Sequence, residues 1–151
     1  MDAEKLIQLT SQIRLFAGVD LERIKKIVNI AEKKVFHKDQ AVFKEGESSD
    51  EIFLILRGEL LVKNQTTTIN VLKDSDVVGE MGVLSKQPRS ADVVAVHDCA
   101  VLSLHRKALD QLIEGDRELG FQIYKNAVDI LCDYLRHNNV ILENLAQQAG
   151  S

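Results

Sequence analysis

Residues 79–91, Gly79-Glu80-Met81-Gly82-Val83-Leu84-Ser85-Lys86-Gln87-Pro88-Arg89-Ser90-Ala91, bring together the side chains in this chain best suited to chemistry. They supply an acceptor carboxylate, a short helix start, and a loop that ends in a guanidinium beside a hydroxyl. Pro88 in that loop is the only proline of the chain. A helix start offers free backbone N–H donors and the positive end of a dipole. Arg89 can fork two donors onto a phosphate, a shorter and stronger contact than a neutral pair. Glu80, when ionised, only accepts hydrogen bonds, so it suits a sugar hydroxyl and not an anion. The set is equipped to hold a small anion that carries a polyol.

The rest of the chain must position that set. Residues 2–16 place Leu6, Ile7, Leu9, Ile13 and Phe16 on one helical face. Gly18 breaks the run, and Asp20 caps a second helix carrying Leu21, Ile24, Ile27, Val28 and Ala31. From Lys33 to Leu104 the texture becomes short β-branched runs. Strands are expected at 33–37, 41–44, 51–57, 59–63, 67–72, 91–96 and 99–104, with turns at Gly46-Glu47-Ser48, Gly58-Glu59, Asn64-Gln65 and Asp74-Ser75-Asp76. Evenly spaced short strands point to a sandwich or jelly roll. Helices resume at 105–114 and, past Gly115, at about 117–147. In that last helix Phe121, Tyr124, Val128, Leu131, Leu135, Asn138, Leu142 and Leu145 alternate steps of three and four, a coiled-coil seam in which a polar Asn138 can fix register. The expected fold is mainly β with flanking helices. Residues 1–115 are expected to form the sandwich or jelly-roll body with its N-terminal helices, and residues 116–148 a long C-terminal helix of the same domain, whose seam points to a parallel homodimer.

Composition narrows the function classes. The 151 residues fit one domain with a real core, and 45% hydrophobic and 28% charged residues are ordinary for a globular protein. A net charge of −4 argues against nonspecific adhesion to nucleic acid or membrane, both of which demand basic surfaces. No segment reaches the roughly 18 apolar residues of a bilayer span, and the start Met1-Asp2-Ala3-Glu4-Lys5 is unlike a signal peptide. A cytoplasmic location is expected. Two cysteines, Cys99 and Cys132, are too few for a disulfide framework and read as buried free thiols. His37, His97, His105 and His137 show no metal-ligand spacing, and neither a nucleophile elbow nor a paired acid motif is present, so neither a metal nor an enzyme is expected.

The ordered set closely resembles the phosphate-binding cassette of cyclic-nucleotide-binding domains. These are the sensor modules of catabolite-activator-type regulators, of cyclic-nucleotide-dependent kinase regulatory subunits and of gated channels. The family pattern is roughly Phe-Gly-Glu-hydrophobic-Ala-Leu, a variable loop, then Pro-Arg-small-Ala. This chain has Val78-Gly79-Glu80-Met81-Gly82-Val83-Leu84, then Pro88-Arg89-Ser90-Ala91. The run from Phe43 to Leu60, with Gly46 and Gly58, resembles the family's early strands, and the likeness spans about residues 13–145. It implies a pocket for cyclic AMP or cyclic GMP inside a jelly roll. Arg89 would pair with the cyclic phosphate, Ser90 would donate its hydroxyl to it, and the N–H groups of Gly82 and Val83 would complete the cradle. Glu80 would accept from the ribose 2′-hydroxyl, Gly79 would let the backbone come close, and Ala91 would close the motif. Arg136-His137-Asn138-Asn139 resembles the polar pair that touches the purine from both subunits, which assigns Asn138 and Asn139 to the base. Ser75-Asp76-Val77-Val78 departs from the family's Gly-Asp-x-Phe, and Asp92 stands where threonine is common. Ser90 occurs in cyclic-AMP receptors, yet a hydroxyl there also helps hold guanine, so the base stays open, with cyclic AMP favoured.

Other readings make different demands. A DNA-binding regulator needs a helix-turn-helix, and after Leu145 only Ala146-Gln147-Gln148-Ala149-Gly150-Ser151 follows. No direct DNA binding is therefore expected. The chain reads as a stand-alone sensor acting through an unidentified protein partner, or as the sensor piece of a longer regulator. A dimeric scaffold with a vestigial pocket is the further alternative.

Overall fold

The computed structural model describes residues 2–65 and 67–150, and at residues 81–83 the backbone only. Helix α1, Ala3–Ser11, starts at Asp2, whose side chain accepts from the Lys5 N–H at 2.7 Å. The single helix expected over 2–16 is instead two pieces. Thr10 and Ser11 turn their hydroxyls back onto Leu6 O and Gln8 O, which competes with continuation of the helix. Ile13 then becomes extended, and Arg14–Phe16 forms a 3-10 turn that drops Ile13, Leu15 and Phe16 into the core. Asp20 caps helix α2, Leu21–Ile30, accepting from the Arg23 N–H at 3.0 Å.

Among the described residues eight strands follow: β1 Glu32–Phe36, β2 Ala41–Phe43, β3 Glu51–Arg57, β4 Leu60–Asn64, β5 Thr67–Leu72, β6 Val77–Val78, β7 Asp92–Ala95 and β8 Cys99–His105. They build two antiparallel sheets, β1-β8-β3-β6 and β2-β7-β4-β5, the faces of a jelly-roll sandwich. Strand β6 was not expected, because two residues beside a turn carry no period. It exists because Val77 and Val78 pair with Leu54 and Phe53. Helix α3, Glu80–Ser85, interrupts the strands; α4, Arg106–Gly115, and α5, Arg117–Gly150, close the chain.

The unbroken apolar run of β3 is explained by burial on both faces. Ile52, Leu54 and Leu56 pack against the helices with Leu102 and Leu104 of β8, while Phe53 and Ile55 point between the sheets with Phe43, Cys99 and Val101. Helix α5 lays Leu119, Ile123 and Ile130 on the helical side of that core. Its Asn126, 6% exposed, donates to both Leu15 O and Ala17 O at 2.8 Å, satisfying the carbonyls that the broken N-terminal helix leaves open. Arg23 joins α2 to the start of α5 through two bonds to Asp116, at 2.7 and 3.2 Å. Beyond Leu135 every described residue of α5 is exposed. Both cysteines are free: Cys99 is buried, whereas Cys132 on α5 is only half-buried, short of the burial expected for it.

Candidate functional site

A pocket of about 370 Å³ opens between the inner face of the β2-β7-β4-β5 sheet, the 79–91 segment and α5. The turn after β6 creates it. Gly79 sits at φ +89°, a conformation that costs glycine little, and a Cβ there would collide with Arg89 Nη1 and lie 3.1 Å from Glu51 O. The missing side chain is what allows the guanidinium to lie against the backbone.

Arg89 is 6% exposed and lies on the pocket wall, its charge turned inward. Nη1 donates to Gly79 O at 3.0 Å and Nη2 to Glu51 O at 2.5 Å, and Cζ stands 4.0 Å above the Phe43 ring. Its Nε is buried with no hydrogen-bond partner. Two main-chain bonds, Gly46 N–H to Arg89 O and Arg89 N–H to Glu47 O, both 2.9 Å, tie this loop to the β2–β3 turn. Burial pulls the Arg89 pKa down, and the carboxylates of Glu51, Asp50, Glu47 and Glu80 pull the other way. Glu80, 7% exposed, opens α3 and lines the same pocket; burial raises its pKa, against its own backbone N–H and the Arg89 charge.

The other expected residues divide. Ser90 lines the pocket from an exposed position, and Ala91 is buried in its wall. The surroundings of Gly82 and Val83 lie outside the described residues; only their place within α3 is given. Asn138 is exposed on α5 at the pocket's lip, while Asn139 is exposed and away from its lining. Asp92 accepts from the Glu45 N–H at 2.8 Å and so braces the β2–β3 turn. Among the described residues, no cluster of three or more His, Cys, Asp or Glu could hold a metal, and no helix is long and apolar enough to cross a membrane.

Two polar residues of the pocket lining were missed by sequence reasoning. Asn70 on β5 donates through Nδ2 to Tyr134 Oη at 3.2 Å, joining sheet and α5 beside the pocket. The Asn70 amide orientation is dictated by the Val71 N–H, which its Oδ1 accepts at 2.8 Å. Tyr134 falls one helical step from Leu131, Leu135 and Asn138, all of which line the pocket. That spacing was legible but was absorbed by the heptad.

Comparison with known proteins bears on the family and the fold. The chain is 27% identical over 148 residues to a cGMP-dependent protein kinase of Eimeria tenella, covering 95% of this chain and 14% of the kinase. It is 22% identical to a CRP-like cAMP-activated global transcriptional regulator of Mycobacterium tuberculosis, covering 91% of this chain and 62% of the regulator. The chain thus spans a minor part of the kinase and less than two thirds of the regulator. A solved cyclic nucleotide-binding domain from Methylobacillus flagellatus superposes with a TM-score of 0.77 at 26% identity, covering 89% of this chain and 78% of that one. The family model for the cyclic nucleotide-binding domain matches residues 33–116, more than half of the sequence and all of the sandwich but Glu32, so this chain belongs to the cyclic nucleotide-binding domain family.

Proposed function

We propose that the pocket binds a purine 3′,5′-cyclic nucleotide and that the chain is a regulatory sensor, with α5 conveying occupancy. The observation that carries this is Arg89: a buried guanidinium on the pocket wall, held by two neutral carbonyls, with an Nε donor unfilled. A singly charged phosphate supplies the anionic partner that the two carbonyls do not. Arg89 forks onto it, the Ser90 hydroxyl adds a donor at the rim, and the main-chain N–H groups of Gly82 and Val83 complete the cradle. Glu80 accepts from the ribose 2′-hydroxyl. The base lies toward Val62, Leu131 and Leu135, where Asn70, Tyr134 and Asn138 offer polar contacts. Asn139 reaches the base of the partner subunit in a dimer sealed along α5, and the domain comprises residues 1–115 with the helix 116–148.

Ligand contact with α5 gives the differential interaction that a signal requires. The domain acts on a partner protein or on further domains; the chain itself supplies no catalytic step. Isothermal calorimetry with cyclic AMP and cyclic GMP tests the site. Binding to the wild type, weakened at least about 10–100-fold by Arg89→Ala, supports it. Absence of heat with both nucleotides refutes it, and unchanged binding in the variant refutes the placement of the phosphate.

A further inference from the structure

Away from the 79–91 segment the described pocket lining is mostly hydrocarbon, with Val62 of β4, Ile69 of β5, and Leu131 and Leu135 of α5. Three polar side chains interrupt it. Asn138 is exposed at the lip, but Asn70 and Tyr134 are half-buried and bonded to each other, so their directions are already set.

Asn70 stands opposite Val62 in the β4–β5 register and shares a face of β5 with the buried Leu72, so its side chain points into the space between sheet and helix. Its Oδ1 accepts from the Val71 N–H at 2.8 Å, and its Nδ2 donates to Tyr134 Oη at 3.2 Å. The amide oxygen is thus turned to the backbone, and the amino group keeps a second N–H to offer. Tyr134 is left in the matching state. Its oxygen accepts from Asn70, and among the described residues its own proton has no acceptor. Accepting one bond also polarises the O–H and makes it a better donor. Burial, with the negative charges of Glu80 and Asp76, raises the Tyr134 pKa, so the proton stays in place near neutral pH.

Two donors in an apolar wall call for an edge rich in acceptors, and purines differ there. Guanine shows O6 and N7, both acceptors, side by side; adenine shows N7 beside an amino group that donates. An adenine amino group against this pair leaves donors facing donors out of water, the kind of loss by which a site built for one polar group rejects its analogue.

We infer that Asn70 and Tyr134 are specificity-determining residues that read position 6 of the base, and that the pocket prefers a 6-oxopurine cyclic nucleotide, cyclic GMP or cyclic IMP, to cyclic AMP. This rests on the proposed reading of the pocket as a cyclic-nucleotide site. Phosphate and ribose are the same in all three ligands, so the discrimination comes from groups that meet the base. Cyclic AMP still binds through the shared contacts, more weakly.

Calorimetry with the three nucleotides on the wild type, Tyr134→Phe and Asn70→Ala is the test. Cyclic IMP has O6 and N7 but lacks the 2-amino group of guanine, so it separates a reading of position 6 from one of position 2. Cyclic GMP and cyclic IMP are expected to bind the wild type at least about tenfold tighter than cyclic AMP. Each substitution should narrow that gap to about threefold or less, by weakening the 6-oxopurines and leaving cyclic AMP within about threefold of its wild-type affinity. A pair that merely joined α5 to the sheet would weaken all three alike. Cyclic AMP bound as tightly as cyclic IMP by the wild type overturns the inference whatever the variants do. So does a gap that survives both substitutions in proteins whose melting shows them folded. If none of the three binds, the cyclic-nucleotide reading itself fails; if all three bind alike, the base assignment alone fails.

Discussion

A guanidinium taken out of water and tied only to neutral carbonyls is costly to bury, and Arg89 carries that cost in the ligand-free domain. The same holds for Glu80, whose carboxyl is pushed above its ordinary range chiefly by burial. Both groups are therefore expected to oppose stability while serving binding. For Glu80 the sign is definite. A raised pKa means the folded state holds its proton more tightly than the unfolded one, so stability falls as pH rises from the ordinary value of 4.5 through the folded pKa. Glu80→Gln should then melt higher than wild type near neutral pH, with the difference closing as pH falls toward 4.5. The same variant should bind cyclic AMP more weakly, by about 10-fold for one lost charge-assisted bond. Thermal melts across pH, beside calorimetry, check both halves; a variant that melts lower at neutral pH would contradict the first. Gly79→Ala tests the close approach in another way. A Cβ at φ +89° strains the turn and displaces Arg89, at a cost of about 1–3 kcal/mol with loss of binding, measurable by urea unfolding and calorimetry.

At the scale of elements, the helices and the sandwich meet through a few polar joints. Asn126 is the central one, since its amide closes two carbonyls of the broken N-terminal segment. Asn126→Leu keeps the volume and strands both acceptors, so urea unfolding should show a loss of about 2–4 kcal/mol, while Gln122→Ala, which removes a contact on the exposed side, should cost about 1 kcal/mol or less. These joints mark where the sequence was hard to read. The long strands were legible because β3 is apolar from Ile52 to Leu56 and β8 from Cys99 to Leu104 apart from Ser103, and the α2 start was legible because Asp20 caps it. The break at Ile13 was not, because the apolar period continues through it, and the stop is made by side-chain hydroxyls and by a distant asparagine. Strand β6 is held by pairing with β3 and by burial of both its valines. The pocket divides along the same line. The cassette is a local motif with a fixed order of residues, so Gly79, Glu80 and Arg89 could be named from sequence. Asn70 and Tyr134 lie on separate elements and become a pair only when α5 lies down on the sheet.

For the whole molecule the unresolved balance is on α5. Thirty-four residues make a helix of about 51 Å, and past Leu135 every described residue of it is exposed. Phe121 at 71%, Val128 at 57%, Leu135 at 56%, Leu142 at 62% and Leu145 at 55% stay exposed along one seam. Residues 136–150 alone are too short to hold a helix in water without a partner. The proposed two-fold dimer supplies that partner, with Asn138 facing its own copy and setting the register. The seam also runs past the pocket, because Leu131, Leu135 and Asn138 belong to both. In the proposed dimer, packing and ligand contact would act on the same helical face and so be coupled. Leu142→Asp with Leu145→Asp separates them, since neither residue lines the pocket. Sedimentation velocity at micromolar concentration should find the wild type dimeric and the double variant monomeric. Circular dichroism should report the loss of the helix past Leu135, and the sandwich should keep its cooperative melt. Cyclic-nucleotide affinity should fall by only about 2–10-fold, the loss of neutral hydrogen bonds from the partner's end of the base site, because the Arg89 charge is untouched. A wild type that is monomeric with that half of α5 fully helical would remove the dimer from this account and leave the pocket standing.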